Sequence, residues 1–279
     1  MKIKPFAVGA GAFIYSALAL SVAMADDTEI YIPKDLPADQ QVRPNILFIL
    51  DSSGSMDTQV ANTGGKSRNT VMKEVVNNLI DQLKTKEDVN IGVMRFRGLN
   101  NNNEQGGHVI SPVQRLTQAN ATALKNTVNG IPSADWTPLS ETYYEAYRYM
   151  TGQTPVWGNT LSVASSKDGT NYKSPIAHSC QRSHIIYVTD GAPTRDVDSN
   201  TAIRSLVNGK NTLYPSSSCQ NSDGQCLPHL AEFMANQDLF PAPAPFSDPT
   251  NRKQTVTSHF VGFAVDLPLL KNAATAGGG

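Results

Sequence analysis

Asn45-Ile46-Leu47-Phe48-Ile49-Leu50 runs straight into Asp51-Ser52-Ser53-Gly54-Ser55, with no linker between the apolar run and the polar quintet. A short apolar run without alternation reads as a strand buried on both faces, as in the middle of a parallel sheet. The quintet is then the carboxyl-terminal exit of that strand. In open α/β sheets this edge is where ligand crevices form, because the chain turns there into a covering helix. Asp51, Ser53 and Ser55 stand at i, i+2 and i+4, so an extended exit turns their oxygens to one side, and Gly54 lets the backbone bend between them. One carboxylate and two hydroxyls form a hard-oxygen half-site suited to a small divalent cation that keeps some of its water. Asp and Ser are also the usual turn and cap residues, so the same quintet reads equally as a Ser-rich loop that caps the next helix.

Two distant fragments bear on that choice. Trp136-Thr137-Pro138-Leu139 opens a helical stretch, and Ile185-Ile186-Tyr187-Val188-Thr189-Asp190-Gly191 is a second buried strand ending in an acid. With them the sequence resembles a von Willebrand factor type A domain, whose metal-ion-dependent adhesion site combines D-x-S-x-S with a distant Thr and a distant Asp. The matching positions are Asp51, Ser53, Ser55, Thr137 and Asp190. The resemblance implies a doubly wound, mostly parallel, Rossmann-like α/β sheet with helices on both faces. It also implies a bound Mg²⁺, with Mn²⁺ or Ca²⁺ as alternatives. The serines and the threonine would contact the metal directly or through water, the aspartates would orient coordinated water, and a partner's carboxylate would take the open position. Each outlying residue has a plainer use: Thr137 before Pro138 is the pattern of an N-cap followed by N1, and Asp190-Gly191 is a turn dipeptide.

The chain has 279 residues with 23 basic against 24 acidic side chains, long enough for one full α/β domain. Residues 1–25 read as a secretory signal: Lys2 and Lys4, an apolar region from Phe6 to Val22, and Ala23-Met24-Ala25 as the cleavage pattern. An uncleaved anchor is the competing reading, though Gly9, Gly11, Tyr15 and Ser16 dilute its apolarity. Removal of this segment leaves 21 basic residues against 24 acidic, no footprint for nucleic acid, and membrane contact only through export.

Residues 26–44, with Pro33, Pro37 and Pro44, read as an extended leader, and 45–279 as the type A-like domain. Apolar residues at a spacing of three to four predict a helix over 66–83, and a strand follows over Val89–Phe96. After an Asn-rich loop comes a short edge strand, His108–Ser111, then a helix Thr117–Asn129 with Gly130 placed for a left-handed cap. The helix after Thr137 runs to about Met150, with Leu139, Tyr143, Ala146, Tyr147 and Met150 on one side. Two loop excursions, about 151–183 and 194–226, interrupt the pattern. The second contains Asp196-Val197-Asp198-Ser199-Asn200, which opens like a calcium loop but has Thr201 and Val207 where Gly and Glu are needed, and so reads as a solvated loop. A helix over Leu227–Asn236, a strand over Thr255–Ala264 and a helix opened by Asp266 and Pro268 and ending at Gly277 complete the chain.

Of the three cysteines, Cys219 and Cys226 share one polar loop and are the preferred pair, leaving Cys180 odd; the other two pairings stay open. No spacing among them resembles a complete zinc site.

The export signal, Asn45–Met56, Thr137–Thr142, Ser174-Pro175 with Cys180, Thr189–Pro193 and Phe260–Gly279 together resemble the amino-terminal part of PilY-type proteins, type IV pilus biogenesis factors and tip adhesins. That resemblance implies periplasmic export, then the pilus tip or cell surface, with a pilus component or host-surface protein as partner. It also implies a further strand, a closing helix and a β-propeller beyond this segment, and therefore capture without regulated switching from this segment alone. Two other classes compete. One is a general exported scaffold holding another envelope protein. The other is a hydrolase using Ser53 or Ser55, which lacks a nucleophile elbow although His108, His178, His184, His229 and His259 supply possible bases. No enzymatic activity is expected.

Overall fold

The computed structural model describes residues 41–97, 106–134, 136–240, 253–263 and 265–279. The export signal, leader residues 26–40, most of the Asn-rich loop and the Pro-rich stretch 241–252 lie outside the described residues.

Strand β1 (Asn45–Leu50) is central in a five-stranded sheet with β2 (Asn90–Phe96), β3 (Gly107–Arg115), β6 (Ser183–Thr189) and β7 (Val256–Gly262). The order is β3-β2-β1-β6-β7, all parallel except the antiparallel edge strand β3. A separate small hairpin pairs β4 (Lys167–Asp168) with β5 (Asn171–Tyr172). From β1 the chain goes outward to β2 on one side and later returns on the other as β6. The strand order therefore reverses between β1 and β6, and their carboxyl ends flank the crevice that such a reversal opens.

Helices cover both faces. On one, α1 (Arg68–Leu83) and α2 (Gln118–Asn129) pack over Phe48, Leu50, Ile91 and Val93. On the other, α3 (Leu139–Met150), α4 (Asn200–Val207), α5 (Leu227–Asn236) and α6 (Pro268–Ala276) pack over Leu47, Ile49, Ile185 and Tyr187. β1 is buried on both sides because α/β layering leaves its alternate residues no solvated face, which is why its sequence is apolar without alternation. Along α1 the buried positions are Met72, Val76 and Ile80, a stripe at i, i+4 and i+8, whereas Val75 lies off it and is 51% exposed.

Several sequence-based expectations change. β3 runs past Pro112 to Arg115 because a register shift opposite Gly92 takes the proline out of the hydrogen-bonded ladder. Gly130 is right-handed (φ −76°), since Ile131 continues the turn by donating to the Val128 carbonyl. Helix α6 is preceded by Leu267 at its cap position, so Asp266 does not open it. The second excursion contains α4.

Helix α3 is buried on nearly every side, with only Arg148 of its twelve residues outside the buried class. Its two glutamates are buried and both accept from loop backbone. Glu145 accepts from the N–H groups of Val156, Trp157 and Gly158 and from the Tyr172 hydroxyl. Glu141 accepts from Gly106 N and Asp198 N. Backbone donors make these burials possible. Cys219 and Cys226 are disulfide-bonded with Cα atoms 4.9 Å apart, and Cys180 is free and exposed. Among the described residues no helix is long and apolar enough to cross a membrane.

Candidate functional site

Asp51 is the first residue past β1, and Asp190 the first past β6. The parallel register that pairs Leu50 with Val188 brings those two exits side by side. Asp51 is completely buried and holds the exits together. Its Oδ1 accepts from Ser53 N at 2.7 Å, while Oδ2 accepts from Thr189 Oγ1 at 2.6 Å and from Asp190 N at 3.3 Å. A single-turn 3₁₀ helix, Gly54–Asp57, then turns the chain toward α1. It sets Ser53 Oγ 2.9 Å from Ser55 Oγ, and Ser55 Oγ donates to Asp190 Oδ1 at 2.6 Å.

Thr137 joins from α3's approach. A methyl group built on Gly191 would lie 3.6 Å from Ser55 Oγ and 3.9 Å from Thr137 Oγ1, so both hydroxyls border one small space. The five positions singled out in the sequence are thus brought together at the β1/β6 crevice. Thr137 does not cap α3: Pro138 occupies the cap position without a side-chain bond. Instead Thr137 N donates to Thr194 Oγ1 at 3.0 Å, and Thr194 N returns a bond to the Thr137 carbonyl at 3.1 Å. From the other side, Ala134 N donates to the Ser52 carbonyl at 2.7 Å and ties the threonine's loop to the β1 exit.

Three further groups escaped the sequence reading. Arg68, at the first turn of α1, donates from Nη1 to Asp190 Oδ2 at 2.8 Å. Asp196, expected in a solvated loop, is fully buried and accepts from Ser140 N and Glu141 N at 2.7 and 2.9 Å, capping α3 from a distance. Arg195, just before Asp196, is left-handed (φ 52°) and stacks its guanidinium 4.0 Å over the exposed Trp136 ring. The sequence held one usable signal, at Arg68. A basic residue at a helix start with no acid in the first turn runs against the helix dipole.

Burial raises the Asp51 pKa above the usual carboxylate range, and its bonds from Ser53 and Thr189 pull it back. The Arg68 guanidinium pairs with Asp190, while Asp51 is held only by neutral donors. The donor set, two serine hydroxyls 2.9 Å apart with carboxylates beside them, is of the hard-oxygen kind that small divalent cations take. No cluster of three or more His, Cys, Asp or Glu able to hold a metal occurs among the described residues.

Desolvation lifts Glu141, one turn beyond Thr137, to about 7, against hydrogen bonds from Asp198 N and Gly106 N that lower it. Its unfolded value is near 4.5, so between 4.5 and about 7 the native state keeps a proton that the unfolded chain has released. Its contribution to stability therefore falls as pH rises through that window, by roughly 3 kcal/mol in all. Denaturation midpoints should drop between about pH 5 and about pH 8, and Glu141→Gln should flatten the slope. An unchanged slope in that variant would contradict the assignment.

The architecture is a doubly wound α/β sheet with hydroxyl and carboxylate oxygens gathered at its switch point. Among solved structures the chain is similar to the D319A mutant of the PilB minor pilin from Streptococcus sanguinis, with 13% identity and a TM-score of 0.48, over 86% of this chain and 55% of the pilin. It is similar also to the SpRpn10 von Willebrand factor type A domain, at 13% identity and TM-score 0.42 over 85% of this chain and 82% of that one. A von Willebrand factor type A protein from Catenulispora acidiphila gives 17% identity and TM-score 0.42, over 85% and 43%. The chain thus spans just over half the length of the pilin. No protein-family model and no curated protein matches it.

Proposed function

We propose that this chain is a divalent-cation-dependent protein-binding module that captures an acidic side chain, and that it is no enzyme. The observation that carries the reading is the meeting of Asp51, Ser53, Ser55, Thr137 and Asp190 at the end of β1, where the strand order reverses. Ser53, Ser55 and Thr137 would supply neutral oxygens to Mg²⁺, while Asp51 and Asp190 would orient its water. A cation held mainly by uncharged ligands stays electrophilic enough to accept a carboxylate from outside. The hydroxyls of Ser53 and Ser55 bond each other and Asp190 and no histidine, which argues against a serine nucleophile. The PilY resemblance makes this an exported adhesion module of a pilus-associated protein, displayed at the pilus tip or cell surface, with a pilus component or host-surface protein as partner.

Calorimetric titration of the chelator-treated chain with MgCl₂ tests this. Gly191→Ala makes only ordinary van der Waals contacts, so the fold should stand. Its methyl nonetheless faces the Ser55 and Thr137 hydroxyls and should weaken Mg²⁺ by about tenfold, or 1.4 kcal/mol. Absence of a saturable Mg²⁺ heat in the wild type, or wild-type affinity in Gly191→Ala, would reject the reading.

A further inference from the structure

Both oxygens of Asp190 are engaged: Oδ1 by the Ser55 hydroxyl and Oδ2 by Arg68. The chain Ser53–Ser55–Asp190–Arg68 is continuous, and it ends in a fixed cation. The Asp190 side chain is fully buried, whereas that of Arg68 keeps 19% of its surface exposed. Its position is costly by local rules. At the amino end of α1, where Ser67 caps Thr70 N and no acid stands in the first turn, a positive charge opposes the helix dipole. A residue that breaks a local rule at a functional crevice has a compensating interaction, and here that interaction is Asp190.

We propose that Arg68 is a resident counter-cation that competes with the divalent metal ion for Asp190 and so sets the metal concentration at which the site fills. The proposal rests on the metal-site reading given above. Ser55 Oγ is 2.6 Å from Asp190 Oδ1 and Arg68 Nη1 is 2.8 Å from Oδ2, so a cation held by the Ser53, Ser55 and Thr137 hydroxyls would share that one carboxylate with the guanidinium. Like charges that close, away from bulk water, repel strongly. Loading the site thus requires Arg68 to give up its bond and swing outward. Without metal, Arg68 keeps Asp190 from being a buried, unpaired charge and holds the crevice in its assembled shape.

The test is titration of the whole chain with MgCl₂ alone. Arg68→Gln, which keeps a hydrogen-bond donor and loses the charge, should bind Mg²⁺ about tenfold or more tightly than the wild type. Arg68→Lys, which keeps the charge, should stay near the wild-type value. Equal or weaker binding by a folded Arg68→Gln overturns the proposal. Should that variant fail to fold without metal, the guanidinium NMR signal of Arg68 in the wild type decides: a shift on adding Mg²⁺ supports displacement, and a stationary signal overturns it. Asp51→Asn separates the two levels. If it loses Mg²⁺ while Arg68→Gln is unchanged, only the competition fails; if it binds as the wild type does, the metal site itself fails.

Discussion

Asp51→Ala is expected to abolish Mg²⁺ binding and, in the same molecule, to cost roughly 3–5 kcal/mol of stability, because Asp51 is a structural tie as well as a site residue. From the sequence alone a truncation at this position should spare the fold. The structure revises that expectation, since three donors end on its buried carboxylate: Ser53 N, Thr189 Oγ1 and Asp190 N. Truncation leaves all three without an acceptor in a place water does not reach, and each such buried donor costs about 1–3 kcal/mol. The loss also unties the exits of β1 and β6, so Ser53, Ser55 and Asp190 no longer share an edge. Asp51→Asn keeps the volume and one acceptor oxygen, so it should lose metal with a smaller loss of stability. Urea denaturation and calorimetry on both variants separate the effects. Retention of Mg²⁺ affinity in Asp51→Asn would refute the role given to the carboxylate.

What could be read in the sequence, and what could not, follows from the range of the interactions. β1 and β6 announce themselves because strands buried on both faces show unbroken apolar runs, and each ends in an acid that the parallel register must set beside the other. D-x-S-x-S is local, so its oxygens are placed by the strand exit itself. Thr137 and Asp190 join the set only through a resemblance, since each has an ordinary turn or cap reading alone. Thr194 and Asp196, and the partner of Arg68, are not legible in the sequence because the groups they meet, Thr137, the amino end of α3 and Asp190, lie more than fifty residues away in the chain. Composition even pointed the wrong way at Asp196: two acids among Ser and Asn look solvated unless the helix donors that bury one of them are known. The same holds for Glu141 and Glu145, whose partners are loop amides that no side-chain pattern records.

Asp196→Ala should show the other large effect, at a residue that touches no ligand. Helix α3 begins after Pro138 with no side chain of its own to cap it. Asp196 supplies both missing acceptors, to Ser140 N and Glu141 N, from a completely buried position. Burial pushes its pKa well above the usual carboxylate value, and the bond from Ser140 N is the leading influence in the opposite direction. Its own N–H is held by Asp223 Oδ1 at 2.7 Å. Two residues upstream, Thr194 exchanges hydrogen bonds with Thr137, so 194–196 acts as a clasp between the loop after β6 and the start of α3. Arg195 stands between those two anchors in a left-handed conformation that a non-glycine residue adopts only when its neighbours enforce it. Removing the Asp196 carboxylate orphans two dry helix amides and should cost roughly 2–5 kcal/mol. Because the clasp also fixes Thr137, Mg²⁺ affinity should fall by about tenfold in the same variant, a change of 1.4 kcal/mol. Asp196→Asn, with one acceptor left, should lie between. A variant that loses stability but keeps full Mg²⁺ affinity would show that Thr137 is held in place by Ala134 and Ser52 alone, and that the clasp serves the helix and not the site.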